Sequence, residues 1–206
     1  MDAPYTLASA SERLARSALR SQPHMKELAG FVQRIRDAKG PCFHIPDFDP
    51  LDGGNRAQVL FLLEAPGPKA VSRGFISRNN PDQTAKNFFL LNEEAGIARG
   101  RTIIWNVVPW YIGSGTKIRP ARRDDVRDAE EWLKELLAAL YGLRFVMFVG
   151  RKALHARGVV RNYCPTAKVL TMPHPSPMFI NRAPGNRARA LAVLRELSAQ
   201  ITAGDV

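Results

Sequence analysis

Cysteine is scarce in this sequence, and long apolar runs are missing from it. Its 206 residues include two cysteines, Cys42 and Cys164, which lie far apart and form no C-x-x-C motif. This usage excludes a disulfide framework and a cysteine metal site, and it is typical of a reducing cytoplasm. No apolar stretch approaches the ~20 residues that a membrane span needs, and the amino terminus carries no signal-peptide core. We therefore expect a cytoplasmic protein without membrane contact, metal or cofactor.

Acidic residues are also in deficit. Thirty lysines and arginines stand against nineteen aspartates and glutamates, which gives a net charge of +11. The positive residues are mostly arginines spread from Arg13 to Arg195, a pattern that indicates a folded basic surface attracted to phosphate polyanions. Nucleic acid is therefore the expected partner. The length and the 45% hydrophobic content predict one domain over 1–206 with a substantial core, and we expect a monomer.

Apolar runs bounded by turn residues predict the strands of a parallel sheet. The clearest is Val59 to Leu63, five apolar residues without alternation. The strands are predicted at about 57–63, 102–108, 145–149 and 168–172. Helical patterns separate the strands, and two earlier helices within 1–40 are expected to pack on the sheet. The β-α-β-α-β-α-β-α order predicts an α/β fold of three layers, α/β/α, with a central four-stranded parallel sheet.

Two helix starts carry specific signals. Asn80, Pro81 and Gln83 match a capping box, and Asp124 can cap a helix that ends at Gly142. Stretches rich in glycine, proline and polar residues are predicted as loops. These loops are 40–55, 68–80, 109–120 and 173–185.

Residues capable of chemistry follow each predicted strand. They are Glu64, Asn106, the run Gly150-Arg151-Lys152 and the run His174-Pro175-Ser176-Pro177. Each has a plain structural explanation, as a strand-end cap, a helix-entry turn or a surface histidine. Because the carboxyl ends of parallel strands share one edge of a sheet, four such features together favour a functional site there.

These segments resemble motifs of the uracil-DNA glycosylase superfamily. The run 63–67, Leu-Glu-Ala-Pro-Gly, is similar to the G-E-A-P-G motif of its iron–sulfur branch. The run 105–108, Trp-Asn-Val-Val, resembles the strand whose asparagine reads uracil in that family. The run 174–177 resembles the H-P-S-P motif. Phe75, after Gly74, falls where the family places the aromatic ring that stacks on a flipped base. The resemblance spans about 43–200.

The resemblance implies a monofunctional uracil-DNA glycosylase of base excision repair, which flips uracil out of single- or double-stranded DNA and hydrolyses its N-glycosidic bond. His174 would donate a hydrogen bond to the charge that develops on the base, and Asn106 would pair with uracil O4 and N3–H. Phe75 would stack on the base, although a role as a hydrophobic loop anchor fits it equally well. The implied uracil contacts are Glu64, Ala65, Pro66, Gly67, Phe75, Asn106 and His174, with Glu64, Asn106 and His174 as the catalytic set.

The expected DNA contacts lie on two loops of the same edge. They are Gly150, Arg151, Lys152, Ser176, Pro177, Met178, Phe179 and Arg182. Within them, Met178, Phe179 and Ile180 form an apolar tip beside a basic residue, which suits a wedge that fills the gap left by a flipped base. A hydrophobic anchor for the loop is the alternative.

The sequence departs from the family pattern at three places. The iron–sulfur branch needs four cysteines, and here Pro109-Trp110 stands where one ligand is expected, so no cluster is predicted. Ala65 takes the place of the aspartate that orients water in the classic branch. Gly67 takes the place of the tyrosine that excludes the thymine methyl in that branch. Glu64 is not expected to replace that aspartate, because adjacent side chains of an extended chain point to opposite faces.

Two other functions stay open. The chain could be a catalytically weak or uracil-trapping member of the superfamily, although the trapping branch has a basic insertion that ends in histidine, and 71–80 holds Arg73 and Arg78 but no histidine. It could also be a non-enzymatic basic nucleic-acid-binding module. Such a module would not need His174 and Asn106 at one sheet edge.

Overall fold

The computed structural model describes residues 2–115 and 117–204. The α-helices are Ala10–Ala18 (α1), Pro23–Lys39 (α2), Pro68–Arg73 (α3), Gln83–Glu94 (α4), Arg123–Asp128 (α5), Glu130–Ala139 (α6), Arg157–Tyr163 (α7), Pro177–Ile180 (α8) and Gly185–Ala203 (α9). Short 3-10 turns lie at Thr6–Ala8, Leu19–Ser21, Gly54–Arg56, Arg99–Arg101 and Ala153–Ala156. The strands are Asp47–Phe48 (β1), Val59–Leu63 (β2), Phe75–Ile76 (β3), Thr102–Asn106 (β4), Gly113–Ser114 (β5), Lys117–Ile118 (β6), Phe145–Val149 (β7) and Lys168–Met172 (β8).

The central sheet has the order β4-β2-β7-β8, and every neighbouring pair is parallel. Strands β4 and β7 are buried along their whole length, as expected when helices cover both faces. The predicted four-stranded parallel sheet is therefore confirmed. Short strands β1 and β3 pair in parallel beside it, and β5 and β6 form an antiparallel hairpin.

Helices α2 and α4 cover opposite faces of this sheet. Neighbouring residues Phe61 and Leu62 of β2 point to opposite faces, and Trp105 of β4 pairs with Leu62. The ring of Phe31 in α2 lies 6.1 Å from that of Trp105, centroid to centroid. The ring of Phe88 in α4 lies 4.9 Å from that of Phe61. These two ring pairs show that α2 packs on one face of the sheet and α4 on the other, which gives the three layers of the α/β fold.

The prediction of an unstructured loop over 68–80 is wrong. Helix α3 begins at Pro68 and is terminated by Gly74, which has φ +83°. A helix of six residues is too short to show an apolar period, so the sequence pattern did not predict it. Strand β3 follows and pairs with β1, which lies inside the predicted loop 40–55. The predicted loops 109–120 and 173–185 likewise contain the hairpin strands β5 and β6 and helix α8.

Both predicted helix caps are also wrong. The carboxylate of Asp82, rather than the amide of Asn80, accepts a backbone N–H of the first turn of α4. Asn80 is buried, and its Nδ2 donates to the backbone oxygen of Phe75 at 2.9 Å. The helix expected to start at Asp124 begins at Arg123 and is divided into α5 and α6.

A buried ionic cluster joins helix α1 to the amino end of β4. Asp49 accepts from Arg16 and Arg99, each at an N···O distance of 2.5 Å, and Asp52 accepts from Arg99 Nε at 2.8 Å. Burial alone would raise the pKa of Asp49, but Arg99 and Arg16 hold it below its ordinary value. Burial raises the pKa of Asp52 to about 6, although Arg99 and Arg78 act in the opposite direction. The ionised form of Asp52 is therefore disfavoured in the folded protein.

Candidate active site

The polar segments that follow the central strands meet at the carboxyl edge of the sheet. Leu63, the last residue of β2, pairs with Asn106, the last residue of β4. The backbone N–H of Gly150 donates to the Met172 carbonyl at 2.9 Å, so β7 and β8 stay paired up to the segment that carries His174. The four segments therefore lie side by side, as the sequence predicted.

Asn106 and Glu64 lie on opposite faces of the sheet at this edge. Asn106 shares the α4 face, because its partner Leu63 is two residues beyond Phe61. Glu64 follows Leu63 in a bend, and the loop that it contacts leads into α5 and α6, of which α6 packs on α2. The Oε1 of Glu64 accepts the backbone N–H of Ala121 in that loop at 2.5 Å. The carboxylate therefore fastens a distant loop to the end of β2.

The amide of Asn106 is buried with one of its groups unused. The side chain is 3% exposed, and its Nδ2 has no hydrogen-bond partner among the residues that the structure describes. Most buried N–H groups in proteins are paired, and leaving one unpaired costs about 1–3 kcal/mol. An acceptor atom of a bound molecule would remove that cost. The Nδ2 of Asn106 is thus a buried donor that an acceptor atom of a ligand can satisfy.

His174 lies over the end of β7, on the α4 side of the edge. A Cβ on Gly150, which has φ +84°, would lie 3.1 Å from the Cβ of His174, so only glycine lets the histidine approach this closely. From α4, Asn87 Nδ2 donates to the Pro175 carbonyl at 2.9 Å and holds the segment in place. Burial lowers the pKa of His174, so the imidazole is neutral at neutral pH and carries one N–H donor.

Ala65, Pro66 and Gly67 of the predicted base site continue from β2 at this edge, whereas Phe75 lies in β3, which pairs with β1 outside the central sheet. The ring of Phe75 is buried in β3, but it does not belong to the main hydrophobic core cluster. Pro66 is buried, and Ala65 and Gly67 are half-buried. A Cβ on Gly67 would meet nothing within 4 Å, so the space beside this residue is open.

The predicted DNA-binding residues differ widely in exposure. Ser176 Oγ accepts from the Phe179 N–H at 3.3 Å and so caps α8. Met178 on the first turn of α8 is 83% exposed, whereas Ile180 packs against the core and Phe179 is half-buried. Pro177 is half-buried, Gly150 is half-buried, and Arg151, Lys152 and Arg182 are exposed.

Sequence reasoning missed four residues that hold these segments. Asn80 donates to the backbone of Phe75 in β3. Asn87 donates to the backbone of the H-P-S-P segment at Pro175. Asn186 Nδ2 donates to the last turn of α8, to the Phe179 oxygen, at 2.7 Å. Ala121 contributes only a backbone N–H, so its side chain carries no signal that could have identified it.

Residues 2–115 and 117–204 hold neither a cluster suited to a metal ion nor a helix suited to a membrane span. No group of three or more histidine, cysteine, aspartate or glutamate side chains is arranged there to hold a metal ion. None of the helices in those ranges is long and apolar enough to cross a membrane.

Comparison with known proteins identifies the family. No curated protein matches the sequence. Among solved structures, the chain is similar to a solution NMR structure from Methanosarcina acetivorans that is provisionally named a uracil DNA glycosylase, with 18% identity, a TM-score of 0.49, and coverage of 69% of this chain and 92% of that one. Residues 51–198 match the model of the uracil DNA glycosylase superfamily, and this range contains all four segments at the carboxyl edge. The chain therefore belongs to the uracil DNA glycosylase superfamily.

Proposed function

We propose that this protein is a monofunctional uracil-DNA glycosylase, acting as one domain and as a monomer. The proposal rests above all on the buried, unpaired amide of Asn106 at the sheet edge of a superfamily member. Uracil offers an acceptor at O4 and a donor at N3–H, which match the two ends of an amide. Cytosine offers the reverse pattern. An Asn106 amide held with Nδ2 towards O4 thus favours uracil over cytosine.

In the proposed reaction, the bond between uracil N1 and the sugar C1′ breaks after the base has flipped out of the DNA. The bonding electrons move onto the ring, and the sugar becomes oxocarbenium-like until water adds to C1′ and gives up a proton, by way of solvent, to the departing uracil anion. The neutral His174 donates its N–H to the base oxygen that gains charge. A preorganised donor of this kind is typically worth about 3 kcal/mol.

The other residues of the edge support base flipping. The exposed Met178 fills the space that the base leaves, whereas the ring of Phe75, which is 2% exposed, fits a hydrophobic loop anchor better than a stacking face. Arg151, Lys152 and Arg182 are exposed at the same edge and bind backbone phosphates. Flipping costs a few kcal/mol, which these contacts offset.

The test is incubation with a uracil-containing oligonucleotide, followed by alkali, which breaks the strand at abasic sites. His174→Ala should lower the rate by about 100- to 1000-fold while DNA affinity stays nearly unchanged. His24→Ala is the matched control, because His24 bonds to the Pro50 carbonyl away from this edge. An intact rate in His174→Ala would exclude the assigned role. Absence of strand breakage with the wild type would exclude the activity.

A catalytically weak, uracil-binding member of the superfamily is the second candidate. Ala65 favours it, because alanine cannot orient water as an acid would. The same experiment separates the two, since a binding protein would retain uracil-containing DNA without breaking it after alkali. A basic module without any base recognition is disfavoured by the buried amide of Asn106.

A further inference from the structure

The loop between α2 and β1 carries an exposed aromatic residue, Phe43, that base excision as described does not use. Its side chain lines two open surface cavities of about 370 and 670 Å³. The smaller cavity is lined by Phe43 with Arg36, His44, Val71 and Gly74 among others. The larger is lined by Phe43 with Lys39, Trp110, Tyr111, Lys117 and Arg119 among others.

Phe43 and Trp110 differ in what they offer to a ligand. The two rings meet edge to face at 5.8 Å, but Trp110 is 4% exposed and Phe43 is 39% exposed. Trp110 is therefore the support and Phe43 the presented ring. The Nζ of Lys39 lies 4.0 Å from the centroid of Trp110 and 5.5 Å from that of Phe43. An open aromatic face beside a lysine is the combination that binds a base and its phosphate.

Both cavities border the segments that build the candidate active site. Gly74, in the wall of the smaller cavity, directly precedes Phe75. The wall of the larger cavity continues from β4 through Trp110. The opposite wall of this cavity contains Arg119, which lies two residues before Ala121. The backbone N–H of Ala121 donates to the Glu64 carboxylate. The cavities thus adjoin the edge on its α2 side, across the end of β2 from Asn106, where a nucleotide next to the bound base can reach Phe43.

The charge of the larger cavity suits a phosphate. Arg119 is neutralised by Asp125, at 2.6 Å. Lys39 and Lys117 form no ion pair among the residues that the structure describes, and Asp128 is the other acid in the lining. Two lysines are thus available against one remaining carboxylate.

We propose that Phe43 is a stacking platform for a nucleotide that flanks the target base in single-stranded DNA. This proposal rests on the proposed function, because the target base itself is assigned to the Asn106 site. Bases in a duplex are stacked on their neighbours, so an aromatic face in a surface cavity can reach only bases that are already unstacked. The protein should accordingly bind single-stranded DNA in preference to duplex DNA, through contacts that lie outside the base site.

Binding to DNA without uracil tests this platform independently of excision. Phe43→Ala should weaken the affinity for a uracil-free single-stranded oligonucleotide by roughly 5- to 30-fold, measured by fluorescence anisotropy. Affinity for an abasic strand of equal length should not change, because that strand has no base to stack. Tyr141→Ala is the matched control, since Tyr141 is an exposed aromatic, 67% exposed, that bonds to Arg56 and Asn55 near the amino end of β2.

Phe43→Leu separates stacking from anchoring. Leucine retains apolar contact with Trp110 but has no flat face, so a stacking role predicts the same loss of affinity as in Phe43→Ala with an unchanged melting temperature. Equal losses on base-containing and abasic strands, full affinity in Phe43→Leu, or a loss in Tyr141→Ala would overturn the proposal. If the wild type breaks no uracil strand but Phe43→Ala still shows the selective loss, the proposed function fails and the platform stands.

Discussion

Under the proposed function Asn106 binds the base, so replacing it by alanine separates its cost to the stability of the fold from its contribution to the excision rate. The Nδ2 of Asn106 is buried and unpaired before any base is bound. Such a donor destabilises the folded protein by about 1–3 kcal/mol, and Asn106→Ala removes it. The small cavity that alanine leaves acts in the opposite direction. We therefore expect the free energy of unfolding to change by less than about 1 kcal/mol.

The excision rate should respond quite differently to Asn106→Ala. Under the proposed function, the amide donates to uracil O4 and accepts from N3–H, and alanine does neither. Loss of one preorganised donor alone lowers a rate by about 100- to 1000-fold. The assay is single-turnover excision from a uracil-containing oligonucleotide, scored by strand breakage after alkali. Denaturation by urea, followed in parallel, gives the free energy of unfolding.

Asn92 provides the matched control. It too is fully buried with an unpaired amide atom, its Oδ1, but it lies within α4, where its Nδ2 donates to the Phe88 carbonyl at 2.8 Å. Asn92→Ala should leave the excision rate per folded molecule unchanged. A wild-type rate in Asn106→Ala would refute the reasoning. So would a large loss of stability in Asn106→Ala, because the amide would then hold the fold instead of receiving a base.

Other perturbations test separate parts of the molecule. Met178→Ala should slow excision from duplex DNA by roughly 10-fold and hardly affect single strands, since only a duplex has a stack to fill; an equal loss on both substrates, with a lower melting temperature, would indicate an anchor like Ile180. Asp52 has a pKa of about 6 in the folded protein against an ordinary 3.8, so its contribution to stability is full below pH 3.8 and is lost as the pH rises through 6. Asp52→Asn should remove this pH dependence of stability. The difference in unfolding free energy between wild type and variant should therefore change by up to about 3 kcal/mol between pH 4 and 7. A difference that stays constant with pH would contradict the raised pKa of Asp52. Glu64→Gln should retain excision to within about 100-fold, because glutamine can still accept the Ala121 N–H, whereas Glu64→Ala should lose more; a loss in Glu64→Gln as deep as that in His174→Ala would identify Glu64 as the base.

The sheet and the edge that carries the candidate site could be predicted because their signals are local. Val59–Leu63 is apolar throughout and is bounded by turn residues, so its burial on both faces follows from the run itself. The faces on which the site residues lie could not be predicted. They depend on the register that pairs Leu63 with Asn106, and on Asn87, which reaches the Pro175 carbonyl 88 residues away.

Local signals failed where tertiary contacts compete with them. Asn80 and Pro81 resemble a helix start, but the amide of Asn80 is used to bond the backbone of Phe75, and Asp82 caps the helix instead. A backbone amide such as that of Ala121 can take part in a site whatever its side chain is, so no sequence pattern could have identified it.

The position of Glu64 bears on which half of the proposed reaction the site accelerates. In the segments that directly follow the central strands, 64–67, 107–110, 150–152 and 173–177, Glu64 is the one acidic residue. Its Oε1 accepts from Ala121 on the α2 side, away from the amide of Asn106. The polar side chains on the α4 side, Asn106 and His174, are neutral donors, which stabilise negative charge on a departing base. An oxocarbenium-like sugar reacts with water that is merely well positioned. Stabilisation of the leaving group therefore supplies the larger share of the expected acceleration, and alanine at position 65 is compatible with excision.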